Sequence, residues 1–68
     1  GNIMTWVRPS NLKLIDRSIR YVDLLLHRAG IERSYSEIAA RLFEVEEELP
    51  PGESLVFAVF ESLREEAD

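Results

Sequence analysis

The sequence predicts an all-α fold, a small three-helix bundle or the protomer of a helical dimer. Three observations carry that prediction. Apolar residues recur at helical spacing from Leu12 onward, a glycine stop and a serine start divide the first two helices, and a Pro-Pro-Gly breaker divides the second from the third. The 68 residues make one small domain over positions 1–68, with an extended lead-in at 1–9 and helices at about 11–29, 35–48 and 52–67. The competing architecture is β-α-α-β, with residues 3–7 and 55–60 as strands.

Pro9 biases Arg8 away from helix, so "TWVRPSN" reads as an extended entry with Ser10 as N-cap. Met4 opens this stretch as a natural start would, and residues 1–3 are given no weight. In the first helix Leu12, Ile15, Ile19, Val22, Leu26 and Ala29 form one stripe. Leu14, Tyr21 and Leu25 widen it to roughly 180° of the helix, more than one neighbour needs. His27 and Arg28 in the last turn suit the negative helix end. Gly30 fits the left-handed C′ position, which puts Ile31 at C″ against Leu26 at C3.

"SYSE" predicts a capping box, Ser34 with Glu37. Tyr35, Ile38, Leu42, Val45 and Leu49 mark the apolar face of the second helix, with Ala39 and Phe43 beside them. Pro50 ends it near Leu49. Glu46, Glu47 and Glu48 then crowd a helix terminus where acid is least favoured. Regular geometry turns Glu46 toward the apolar face, so its expected partner is an arginine, Arg17 or Arg20, within the chain or across a dimer. "PPGES" breaks the chain, and Pro51 suits a first helical turn. The run "LVFAVF" at 55–60 is ambiguous by itself. The helix-like continuation "ESLREEAD" favours helix, with Leu55, Val56, Val59, Phe60, Leu63 and Ala67 on one face.

Composition bounds function more by exclusion than by assignment. There is no cysteine, so disulfides and thiolate metal sites are out, and a reducing, cytoplasmic setting is expected. No basic segment followed by an apolar one reads as a secretory signal, and the longest apolar run, Leu55 to Phe60, is far short of a membrane span. The single histidine, His27, is better placed to pair with Asp23 than to catalyse, and three consecutive glutamates point three ways and cannot form a metal loop. No enzyme activity, cofactor or metal is expected. The net charge of −5 hides a split: residues 1–33 carry six basic against three acidic residues, residues 34–68 two against ten.

"SYSEIAARL" resembles the first helix of a helix-turn-helix DNA reader over nine residues. The rest of that motif is missing, because no recognition helix starts a few residues later and the next helix is mostly acidic on its polar side. The expected function is that of a small acidic adaptor or regulator that binds a protein partner, with homo-oligomerisation as the leading form. The alternative is a nucleic-acid-binding regulator using the basic side of the first helix, where Lys13, Arg17, Arg20 and Arg28 are interrupted by Asp16 and Asp23. The candidate partner-binding residues are Trp6, Arg17, Arg20, Leu24, Glu46 and Phe57, with Leu24 and Phe57 set apart as apolar residues off the core faces.

Overall fold

A computed structural model describes the backbone of residues 9–67 and the side chains of residues 12–67. Among the described residues there are three helices: α1, Pro9–Arg28; α2, Tyr35–Glu48; and α3, Leu55–Ala67. Trp6 and the lead-in at 3–7 lie outside the described residues. Residues 55–60 are helical, and among the described residues there is no strand, which removes the β-α-α-β alternative.

The first boundary follows the local chemistry closely. Gly30 has φ +77°, the Ile31 N–H donates to the Leu26 carbonyl at 2.9 Å, and the Gly30 N–H donates to the His27 carbonyl at 3.0 Å. That is the paired hydrogen-bond pattern of a Schellman stop, with glycine where a Cβ would be strained. Ile31 is thereby folded back onto the core. α2 opens on the capping box, the Glu37 N–H donating to Ser34 Oγ at 3.2 Å and the Ser34 N–H to Glu37 Oε1 at 3.3 Å.

Two expected boundaries move. α1 begins at Pro9, so Ser10 lies inside the helix; a proline loses nothing in a first turn, where its N–H would have no helical partner. α3 begins at Leu55, not at 52. Pro51 belongs to the connecting turn, which Gly52 completes at φ +88°. Ser54 is the residue that caps α3, its Oγ accepting the Phe57 N–H at 3.3 Å while its carbonyl accepts the Ala58 N–H at 3.0 Å.

Each helix packs against both others. The core is eight aliphatic side chains: Ile15, Ile19, Val22 and Leu26 from α1, Ile38 and Leu42 from α2, and Val59 and Leu63 from α3. No buried residue is polar or charged among those described. α1 therefore supplies half of the core, from a stripe narrower than its apolar pattern suggests. Leu12 and Ala29, expected on that stripe, are exposed, as are Leu14 and Tyr21. Phe60 is only partly buried. No described helix is long and apolar enough to cross a membrane.

A core of this size contributes only about 3–5 kcal/mol of net stability. Leu42 is completely buried, and Leu42→Ala is expected to cost about 2–5 kcal/mol, leaving the protein largely unfolded at room temperature. Phe60→Ala is expected to fall below the roughly 3–5 kcal/mol of a fully buried ring. Urea denaturation followed by circular dichroism ranks the two; a Leu42→Ala protein as stable as Phe60→Ala would place the core elsewhere.

Candidate interaction surface

Around the core the two flanks of α1 differ. At about 100° per residue, Asp16, Arg20, Asp23 and His27 fall on one side of the core stripe, and Leu14, Tyr21 and Leu25 on the other. The first flank meets α2. Asp16 Oδ1 accepts the Tyr35 hydroxyl at 2.6 Å, and Asp16 Oδ2 accepts Arg20 Nε at 2.9 Å. Two hydrogen bonds, the one from Tyr35 foremost, hold the Asp16 carboxyl below its ordinary pKa, and the same bond raises that of the Tyr35 hydroxyl. The expected Asp16–Arg20 pair therefore forms. Asp23 and His27, expected to pair in the same way, make no ion pair with each other.

The second flank meets α3. Tyr21 and Leu25 line a shallow groove with Ser54, Val56, Phe57 and Phe60, about 420 Å³ in volume. The groove continues outward on both helices. On α1 it runs into Leu14, Tyr21 and Leu24, each more than half exposed, with Arg17 and Arg28 exposed among them. On α3 it runs into Phe57, 57% exposed, whose ring is tilted against Phe60 at 6.3 Å between centroids. Arg64 lies over the Phe60 ring at 5.8 Å and is itself paired with Glu61 at 2.8 Å. Beyond Phe57 the surface turns acidic, a shallow cleft carrying Glu53, Glu61 and Glu65. Contiguous apolar surface rimmed by charge is the anatomy of a contact site; isolated exposed leucines are not.

The six candidate residues thus divide. Phe57 lines the groove, and Leu24 and Arg17 stand on the adjoining face of α1. Arg20 is on the opposite flank, engaged by Asp16. Trp6 is outside the described residues. Glu46 does turn inward, and its Oε2 is buried, yet no described group hydrogen-bonds to it and neither Arg17 nor Arg20 pairs with it. The expectation of an arginine within the chain fails because the α2-facing arginine, Arg20, is held by a nearer acid one turn away, while Arg17 projects toward the other flank. The acidic end of α2 is met instead by nothing basic of its own, since no basic residue stands in its last turn.

Sequence reasoning missed three residues that matter here. Val56 and Phe60 were read as core, although their exposed edges line the groove. Arg41, among the acids of α2, donates from Nη1 to Ser62 Oγ at 2.7 Å, pairs with Glu66, and lies 3.6 Å from Glu44, tying α2 to α3. Its position as the sole cation of α2 was the available signal. Among the described residues no three His, Cys, Asp or Glu side chains converge as metal ligands would. No family model, no curated protein and no solved structure matches this chain.

The Tyr35–Asp16 bond makes stability respond to acid and to base. Asp16 has its folded pKa lowered, so its contribution is present above the unfolded pKa and is lost as pH falls through the folded one. Tyr35 has its folded pKa raised, so its contribution is complete below the unfolded pKa and is lost as pH rises through the folded one. In Tyr35→Phe, carbon-detected NMR titration is expected to show the Asp16 midpoint moving up toward an ordinary aspartate. An unchanged midpoint would assign the shift to Arg20 instead.

Proposed function

We propose that this protein is a small adaptor or regulator that acts by binding another protein chain through the face shared by α1 and α3. The observation that carries this reading is the groove itself: Tyr21, Leu25, Val56, Phe57 and Phe60 are brought together from two helices and left open to solvent. Phe57 and Tyr21 supply large contact area at low side-chain entropy cost, and arginines stand at the edge, a combination enriched at interface centres. The rival nucleic-acid reading is weakened by the division of the basic residues. Arg20 is neutralised by Asp16 on the α2 flank, and Arg17 and Arg28 stand apart from it among the exposed apolar residues of α1. The acidic cleft next to Phe57, with Glu53, Glu61 and Glu65, would repel a phosphate backbone laid over the groove.

The test immobilises the chain and presents nuclease-treated cell extract together with a tagged second copy, at low and at moderate salt. Retention of protein that persists in moderate salt and is abolished by Leu24→Ser or Phe57→Ser is expected. Both variants are expected to keep their stability within about 0.5 kcal/mol, since the residues are exposed. Retention that collapses with salt or with nuclease, or that ignores both substitutions, would overturn the reading.

A further inference from the structure

We propose that the α1–α3 face takes an acidic amphipathic helix of a partner protein, laid along the groove with its carboxylates over α1. This rests on the reading above that the face binds protein, and adds the chemistry and orientation of what binds.

Charge is distributed unevenly around α1. At about 100° per residue, its two acids, Asp16 and Asp23, both fall on the α2 flank. Turning from them toward the groove, the exposed side of α1 presents Arg20 and Lys13, then Arg17 and Arg28, then Tyr21 and Leu25, with no acid among them. Arg20 is held by Asp16. Lys13, Arg17 and Arg28 are exposed, and none makes an ion pair with another described residue. The groove side of α3 adds a further cation. Val56, Phe57 and Phe60 line the groove there, and Arg64 stands over the Phe60 ring at 5.8 Å. Acids return only past Phe57, where Glu61, paired with Arg64 at 2.8 Å, lines the far cleft with Glu53 and Glu65. A chain of net charge −5 thus carries its open apolar groove beside a basic margin.

Shape and charge together select the occupant. Tyr21 and Leu25 share the groove with the start of α3, and the turn from Ala29 to Arg33 is level with its end at Arg64 and Ala67. The two helices therefore run side by side in the same sense. A trough between two such helices is filled by the apolar stripe of a third. The basic margin from Arg17 to Arg28 is about 16 Å long, three turns of helix. Carboxylates spaced a turn apart on one edge of that third helix meet Arg17 and Arg28, and charge pairs of this kind set partner and register more than raw affinity. The opposite edge lies next to Glu61 and Glu53, where a second row of acids would be repelled, so that edge of the partner is neutral or basic. The same cleft disfavours an anionic membrane, because a flat surface that covers α1 and Phe57 also covers those glutamates. A narrow helix does not.

Selection from displayed peptides tests this. The immobilised chain is offered helical peptides of about fifteen residues, four turns, randomised on every face. The enriched sequences are expected to carry apolar residues at i, i+3, i+4 and i+7, with Asp or Glu along one adjoining edge only. Synthetic copies should bind roughly tenfold or more weakly once those acids become lysine, and should lose binding to Phe57→Ser. The double variant Arg17→Glu with Arg28→Glu, its fold checked by circular dichroism, should reverse the preference and take the lysine copy. Enrichment of basic or uncharged helices would overturn the proposal, as would a charge-reversed chain that still prefers the acidic copy. A chain that enriches no peptide, yet binds phosphatidylglycerol vesicles or duplex DNA through Arg17 and Arg28, would assign the face to phosphate and overturn it too. If no peptide is enriched while Phe57→Ser still abolishes retention of extract protein, the acidic helix falls and protein binding stands. If that substitution changes nothing either, both readings fall together.

Discussion

The burial of one narrow stripe of α1 is the constraint on which the rest of this structure depends. Ile15, Ile19, Val22 and Leu26 are half of the core, and α2 and α3 each add two residues against them. Neither of the shorter helices could hold its fold by propensity, because isolated helices of such length are marginal in water. They are helical because they bury Ile38 and Leu42, and Val59 and Leu63, against the longer one. The connections serve this packing. The glycine stop after α1 turns Ile31 back onto the core, and the serine caps start α2 and α3 where their apolar residues face inward.

Because α1 lies between two partners, its flanks acquire different chemistry. Toward α2 the contact at its margin is polar, with Asp16 shared by Tyr35 and Arg20. Toward α3 the margin is apolar and stays open, because the side chains of Tyr21 and Leu25 extend past what α3 covers. α2 and α3 are joined by a third kind of margin, Arg41 reaching Ser62 and Glu66. Two of the three seams are thus closed by hydrogen bonds and charge. The third is left to apolar side chains in contact with water.

What could be read in the sequence was what is local. The Schellman stop is written in six adjacent residues and the capping box in four, and both appear with the predicted partners. The start of α3 was misread because Pro51 and Ser54 are both acceptable helix openers, and the choice depends on how Gly52 bends the chain. Helix over 55–60 required its continuation to be weighed, since the run alone carries no period. Side-chain partners at long range were not legible. Tyr35 was counted as an apolar-face residue, and that its hydroxyl reaches Asp16 depends on where α2 crosses α1. Glu46 shows the same limit from the other side. Its inward direction follows from helical period, but which arginine flank it meets is a matter of packing, and Arg20 was already engaged.

The three glutamates that end α2 are tolerable for a reason that lies in the connection after them. A terminal acid costs about 0.3–1 kcal/mol against the helix dipole when exposed, and less in salt. Glu47 and Glu48 are exposed, so their cost is of this screened kind. The chain leaves the helix at once through Leu49, which is extended at φ −69° and ψ 125°, as a residue before proline prefers. The helix end is therefore fixed by Pro50 and the turn around Gly52, and does not rely on a favourable dipole partner. Glu46 is different in kind, because one of its oxygens is buried without a hydrogen bond. That oxygen is the buried side-chain oxygen left without a hydrogen bond among the described residues, which sets Glu46 apart from its two solvated neighbours.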